Sequence, residues 1–240
     1  MIPMKKLICL ICALMLVFTL VGCNDEMAPV YEQAVAAMEN GKYAEAYPLL
    51  VNLGDYKDAK ALLATIHAEK VSAEVETAGV TMNVDYTLKN GNVVKEVVTV
   101  ADGSQLKNYY KFSANGLCTS EILGQADGGK VNINHFYEGN VIVRTVRTNA
   151  SGLKDTYVYT CDTNGRITAH TLTFSDGSVQ EGVYNYNELG QLVKLECTGA
   201  GEETIAYEYN EHGDVYQETV TSGDSQTVTT YNYTYAFTVK

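Results

Sequence analysis

The sequence predicts an α+β protein that is mainly β. A small N-terminal segment of about three helices precedes a curved antiparallel meander of about thirteen strands, built from six hairpin repeats. Three observations carry this reading. Turn glycines recur at Gly91, Gly116, Gly139, Gly165, Gly190 and Gly213, in steps of 23 to 26 residues. Around them, aromatic and apolar residues alternate with polar ones, which leaves one face of an extended chain apolar. Near position 75 the composition shifts from Ala- and Leu-rich to Tyr-, Thr- and Val-rich.

Residues 1–22 read as a secretory signal. Lys5 and Lys6 precede an uncharged apolar run from Leu7 to Leu20, too short to span a bilayer permanently. The run ends in Leu20-Val21-Gly22-Cys23, which resembles the bacterial lipobox. The resemblance implies that Cys23 is acylated and becomes the mature N-terminus. Two acyl chains suffice for stable anchoring where one is marginal. Removing the signal takes two of the 17 basic residues and none of the 29 acidic ones, so the net charge goes from −12 to −14. An acidic chain without a basic cluster excludes nucleic acid as a partner and excludes electrostatic docking on anionic lipid. The expected address is therefore the extracytoplasmic face of the cell membrane or envelope, with membrane contact through Cys23.

Residues 23–70 hold the anchor and the expected helices. Gly41-Lys42-Tyr43-Ala44-Glu45-Ala46 returns thirteen residues later as Gly54-Asp55-Tyr56-Lys57-Asp58-Ala59, and each copy is followed by a Leu-Leu pair. With Tyr31 and Ala34, this predicts three short helices broken at Gly41 and Gly54, with Pro48 kinking the second or moving its start. The segment resembles a degenerate tetratricopeptide repeat. That implies a partner-binding helical module, against which stands a plain helical cap on the sheet. Residues 71–79 are the expected linker, and residues 80–240 the repeat domain.

In each repeat the residues two and seven places after the glycine are apolar: Val93 and Val98, Cys118 and Leu123, Val141 and Val146, Ile167 and Leu172, Leu192 and Cys197, Val215 and Val220. The two slots differ in parity, so either a bulge shifts the register or both faces are partly covered. A second turn midway through each repeat, such as Asp102-Gly103 or Asp176-Gly177, makes it a pair of short strands. The clearest repeats are Tyr184-Asn185-Tyr186-Asn187-Glu188-Leu189-Gly190 and Tyr207-Glu208-Tyr209-Asn210-Glu211-His212-Gly213. They resemble the YD repeats of RHS-type proteins, Tyr-x-Tyr-Asp-x-x-Gly-Arg-Leu, with Asn in place of Asp and Arg after Gly only at Arg166. In that family such repeats build long curved β shells.

Little in the chain points to catalysis. Cys118, Cys161 and Cys197 read as small core hydrophobes; a disulfide plus a free thiol, or a redox cysteine, are the alternatives, without a C-x-x-C motif behind them. His67, His135, His170 and His212 are each solitary in sequence, with no metal-ligand spacing, and His212 falls in an expected solvated turn. The acidic residues Asp214, Asp224, Glu202 and Glu203 read as solvated positions in or near turns; a calcium site is the alternative, without EF-hand-like spacing behind it. No cofactor and no metal is expected. The expected function is a non-enzymatic binding or structural surface protein with an unknown protein, peptide or glycan partner. Tyr184, Tyr186, Tyr207, Tyr209, Tyr231 and Tyr233 are the candidate binding rows if they face solvent; they equally suit the core of a chain with no tryptophan and five phenylalanines. The alternative is a carrier of lipid or another hydrophobic ligand, in a cavity of a curled sheet. An enzyme comes third.

Overall fold

The computed structural model describes residues 27 to 239, so Cys23 and the expected signal lie outside the described residues. The chain divides into two compact units, one running to His67 and taking in the last residues from Thr238, the other Ala68–Phe237. In the first unit lie α1 (Ala28–Glu39), α2 (Tyr43–Leu53) and α3 (Ala59–Leu63). Their core is Tyr31, Ala34, Ala37, Ala46, Leu50, Leu53 and Ala59. The breaks fall where expected: Gly41 has φ 72°, and Gly54, with φ 55°, caps α2. Pro48 lies inside α2, which starts five residues ahead of it.

The second unit is built from β1 (Ile66–Thr77), β2 (Val80–Lys89), β3 (Asn92–Val100), β4 (Gln105–Phe112), β5 (Cys118–Gly124), β6 (Lys130–Glu138) and β7 (Val141–Thr148). There follow β8 (Lys154–Cys161), β9 (Ile167–Thr173), β10 (Val179–Tyr186), β11 (Leu192–Gly199), β12 (Glu203–Tyr209), β13 (Val215–Ser222) and β14 (Ser225–Val239). Each strand lies beside the next in sequence, and β14 returns to β1, which closes a barrel of fourteen strands. At that seam the Thr229 hydroxyl donates to Thr77 Oγ1 at 2.9 Å.

This corrects the expected open meander of about thirteen strands. The added strand is β1, over residues expected to be helix tail and linker. Five of the twelve residues of its sequence, IHAEKVSAEVET, are Ala or Glu, so intrinsic propensity favours a strand only weakly. Pairing decides it: Ser72 to Thr77 run antiparallel to Val80 to Asp85. Closure also removes the two unpaired edges an open sheet would expose.

The parity of the apolar slots is resolved by bulges. A register shift occurs in each of the six repeats, as where Asn185 pairs with Lys194 but Tyr186 with Leu192, leaving Val193 extra. Both slots thereby face inward at Val93 and Val98, Cys118 and Leu123, Ile167 and Leu172, Leu192 and Cys197, and Val215 and Val220. Gly139 is the exception. It opens a two-residue turn between Glu138 and Val141, which puts it one place out of register. There Ile142 pairs with inward-facing Tyr137, while Val141 and Val146 lie on the outer face. Gly116, Gly165, Gly190 and Gly213 serve alike: Gly190 has φ 79° and its N–H bonds to Asn187 O at 2.9 Å, while Asn187 N–H bonds to Gln191 O. The Asn187 side-chain oxygen accepts from the N–H groups of Leu189 and Gln191, and Asn210 does the same for His212 and Asp214. A turn-residue Asn or Asp with a glycine at positive φ is what this type of hairpin loop requires.

Candidate functional site

The Tyr-x-Tyr spacing sends both rings of a repeat to the same side, and the cross-strand registers extend that side around the barrel. Tyr86 stands opposite Glu96 and Glu96 opposite Asn108; Tyr110 stands opposite Glu121; His135 opposite Thr145, and Thr145 opposite Tyr157. Further round, Tyr159, His170, Gly182, Cys197 and Glu203 form one continuous row, and Tyr207 stands opposite Glu218. All of them face the interior. The outer face is mixed, with Lys107, Lys111, Arg144, Glu181, Glu196 and Glu208 exposed on it beside Tyr109, Phe136, Val158 and Val183.

Most of the inward side chains are half-buried rather than buried. On β4 the inward Leu106, Asn108, Tyr110 and Phe112 are all half-buried, and on β14 so are Tyr231, Tyr233, Tyr235 and Phe237. Barrels of about eight strands are filled by their own side chains, whereas those of about sixteen leave a channel. Apart from the core where Tyr86, Tyr231 and Tyr233 pack on Ala73, Val75 and Val84, the half-buried inward side chains of this fourteen-strand barrel only partly fill its interior. The candidate binding rows, Tyr184, Tyr186, Tyr207, Tyr209, Tyr231 and Tyr233, line it rather than face solvent. Four tyrosines also brace the wall through their hydroxyls. Tyr137 donates to Cys118 O at 2.8 Å, Tyr186 to Ile167 O at 2.7 Å, Tyr209 to Leu192 O at 2.7 Å and Tyr233 to Val215 O at 2.8 Å. Cys161 occupies the same place with a weaker donor, its sulfur 3.5 Å from Ile142 O.

Three clusters concentrate the polar chemistry. In the first, His170 is buried among Tyr157, Tyr159 and Tyr184, with ring centroids 5.3, 6.4 and 5.5 Å away. Its Nδ1 lies 3.0 Å from the Tyr184 hydroxyl, and its Nε2 is buried without a hydrogen-bond partner. Burial holds the imidazole pKa below its ordinary value, so the neutral ring is favoured. The second is Cys118, Glu121 and His135, whose ligating atoms all lie within 4.8 Å of one another. His135 Nε2 is 2.8 Å from Glu121 Oε1, and Nδ1 is 2.9 Å from Thr145 Oγ1. Burial, and then the charge of Glu121, raise the Cys118 thiol pKa.

The third cluster lies at the seam. Lys70 Nζ is 2.8 Å from Asp214 and 5.7 and 5.3 Å from the ring centroids of Tyr86 and Tyr233. Tyr235 donates to Asp214 at 2.8 Å and accepts from Asn210 at 2.8 Å. His212 packs on Tyr235 at 4.1 Å with a side chain only 11% exposed, not solvated as its turn position suggested. Elsewhere on the wall the hydroxyl of Tyr110 and the amide of Asn108 donate to Glu96 at 2.7 and 3.0 Å. Burial and the charge of Glu218 push the Tyr207 hydroxyl up to about 12. Sequence reasoning missed the first two clusters because their members are distant in the chain. The signal that would have found them is the inward parity of His135 and His170 beside inward Glu121 and Gly182.

No protein-family model and no curated protein matches the chain. Among solved structures, it is similar to a porin-like protein from Bacteroides vulgatus, with 10% identity over 70% of this chain and 99% of that one, at a TM-score of 0.42. A porin-like protein from Bacteroides uniformis matches with 10% identity over 70% of this chain and 98% of that one, at a TM-score of 0.37. A TcdB2-TccC3-Cdc42 structure matches with 14% identity over 65% of this chain and 8% of that one, at a TM-score of 0.30.

Proposed function

We propose that this chain is a non-enzymatic cell-envelope binding protein whose tyrosine-lined lumen takes a small organic cation, with Cys23 as the lipid anchor. The observation that carries the reading is the make-up of the inner wall. Glu96, Glu203 and Glu218 face inward, and among the described residues none of them forms an ion pair with a lysine or arginine. The inward cations are already engaged, Lys70 with Asp214 and Arg147 with Asp155 at 3.8 Å. Aromatic faces beside carboxylates suit a quaternary or primary ammonium, each ring contributing about 0.5–2 kcal/mol. The same carboxylates disfavour a lipid carrier, since an unpaired charge against an acyl chain is costly.

The outer face supports a barrel that stands in water. Lys or Arg on a lipid-facing strand costs about 2–4 kcal/mol at the bilayer midplane. Lys107 and Arg144 sit in the middle of β4 and β7 on that face. The chain has no tryptophan to mask tyrosine emission, and twelve of its 18 tyrosines face the barrel interior, so tyrosine fluorescence is weighted toward the inner wall. The test is a titration with aliphatic ammonium ions against uncharged alcohols of the same size. Saturable changes with the amines only, weakened by Glu218→Gln, are expected. Equal binding of the alcohols favours the hydrophobic carrier, and no response to either removes the proposal.

A further inference from the structure

We propose that Cys118, Glu121 and His135 form a divalent-cation site of the zinc type in the barrel wall, independent of the ligand proposed for the lumen. Cys118 and Glu121 come from the start and middle of β5, and His135 from the neighbouring β6. The bulge between Lys111 and Phe112 makes this possible. It leaves Thr119 extra and turns Cys118 to the same inward side as Glu121, three residues on. One thiolate, one imidazole nitrogen and one carboxylate oxygen within 4.8 Å of each other are three of the four donors a tetrahedral Zn²⁺ takes. The mixture of sulfur, nitrogen and oxygen suits Zn²⁺ better than Ca²⁺ or Mg²⁺, which take oxygen.

The surroundings are those of a supported metal ligand. The ring nitrogen of His135 that is turned away from Glu121 is held by Thr145 Oγ1 at 2.9 Å, which fixes the ring plane. The Cys118 backbone is fixed by the Tyr137 hydroxyl on its carbonyl at 2.8 Å. His135 Nε2 and Glu121 Oε1 are 2.8 Å apart, so these two ligand atoms already converge, and a divalent cation would bind with release of the Cys118 thiol proton to solvent. All three ligands are half-buried and face inward, so the fourth position opens to the lumen and is left for water or a donor group.

The test is a titration of the full chain, under reducing conditions, with Co²⁺ as a spectroscopic stand-in for Zn²⁺. A thiolate-to-cobalt charge-transfer absorption should saturate and then vanish on addition of Zn²⁺. Cys118→Ala should abolish it, while Cys161→Ser leaves it in place. Thr145→Val keeps all three ligands and should weaken binding about 10–100-fold. Absence of the absorption in the unaltered chain overturns the proposal, whether or not any variant folds. Its persistence in Cys118→Ala, or its loss in Cys161→Ser, does the same.

Discussion

Gly182 lies directly against the His170 imidazole: a Cβ added at Gly182 would fall 2.1 Å from His170 Cε1. The two residues are cross-strand partners on β10 and β9, so the missing side chain is what makes room for the ring inside the tyrosine cluster. Gly182→Ala should destabilise the barrel by about 1–3 kcal/mol through overpacking. In a His170→Ala background the same change should cost far less. Denaturant midpoints of the two single variants and the double variant give the coupling, and simple additivity would contradict this account.

The turn glycines should act through backbone conformation alone. Gly190 and Gly213 have φ 79° and 82°; a Cβ at Gly190 meets nothing within 4 Å, and one at Gly213 meets only Gln191 at 3.8 Å. Gly190→Val and Gly213→Val should each cost about 1–2 kcal/mol. Glu188→Ala and Glu211→Ala in the same turns should stay within about 0.5 kcal/mol. Unfolding curves that ranked the glutamate variants below the glycine variants would remove the equivalence of these turns.

The bracing hydroxyls should count equally from repeat to repeat. Tyr186→Phe and Tyr209→Phe each remove one bond of 2.7 Å to a backbone carbonyl and leave the ring in place. Each should lower stability by about 0.5–1.5 kcal/mol. Neutral behaviour at both sites would mean that the hydroxyls do not brace the wall.

Glu218 sets a pH dependence of definite sign. Burial, and then the charge of Glu203, hold its carboxyl above the ordinary glutamate range. The fold thus favours the protonated form. That contribution is fully present below the unfolded pKa of about 4.3 and is lost as pH rises through the folded value. Glu218→Gln should therefore be more stable than the parent near neutral pH, with the advantage fading toward about pH 4. Melting temperatures of both proteins across that range would show it, and a difference independent of pH would count against it.

How far the sequence could be read follows from where each signal lies. Hairpins, turn chemistry and the existence of the two apolar slots were legible because they repeat locally, at Asn187 to Gln191 and Asn210 to Asp214 alike, whereas the bulge that reconciles the slots' parity was only one of two readings. Closure was not legible, because β1 carries helix-favouring residues and pairs with β14, more than a hundred and fifty residues away at Thr77 and Thr229. The misplaced register at Gly139 came from equating two turns in which glycine stands at different positions. The clusters at His135 and His170 were hidden for the reason closure was: their partners meet only across strands.

A closed barrel around a tyrosine-lined lumen stands or falls with the β1–β14 seam. The hydroxyls of Thr77 and Thr229 are 2.9 Å apart. In a background with Cys118, Cys161 and Cys197 replaced by Ala, and starting after Cys23, the pair Thr77→Cys and Thr229→Cys should oxidise to an intramolecular disulfide. Mass spectrometry of the folded monomer should then find the two cysteine peptides joined. An open meander would hold these residues at opposite ends of the sheet, so free thiols after mild oxidation, or joining between chains only, would contradict closure.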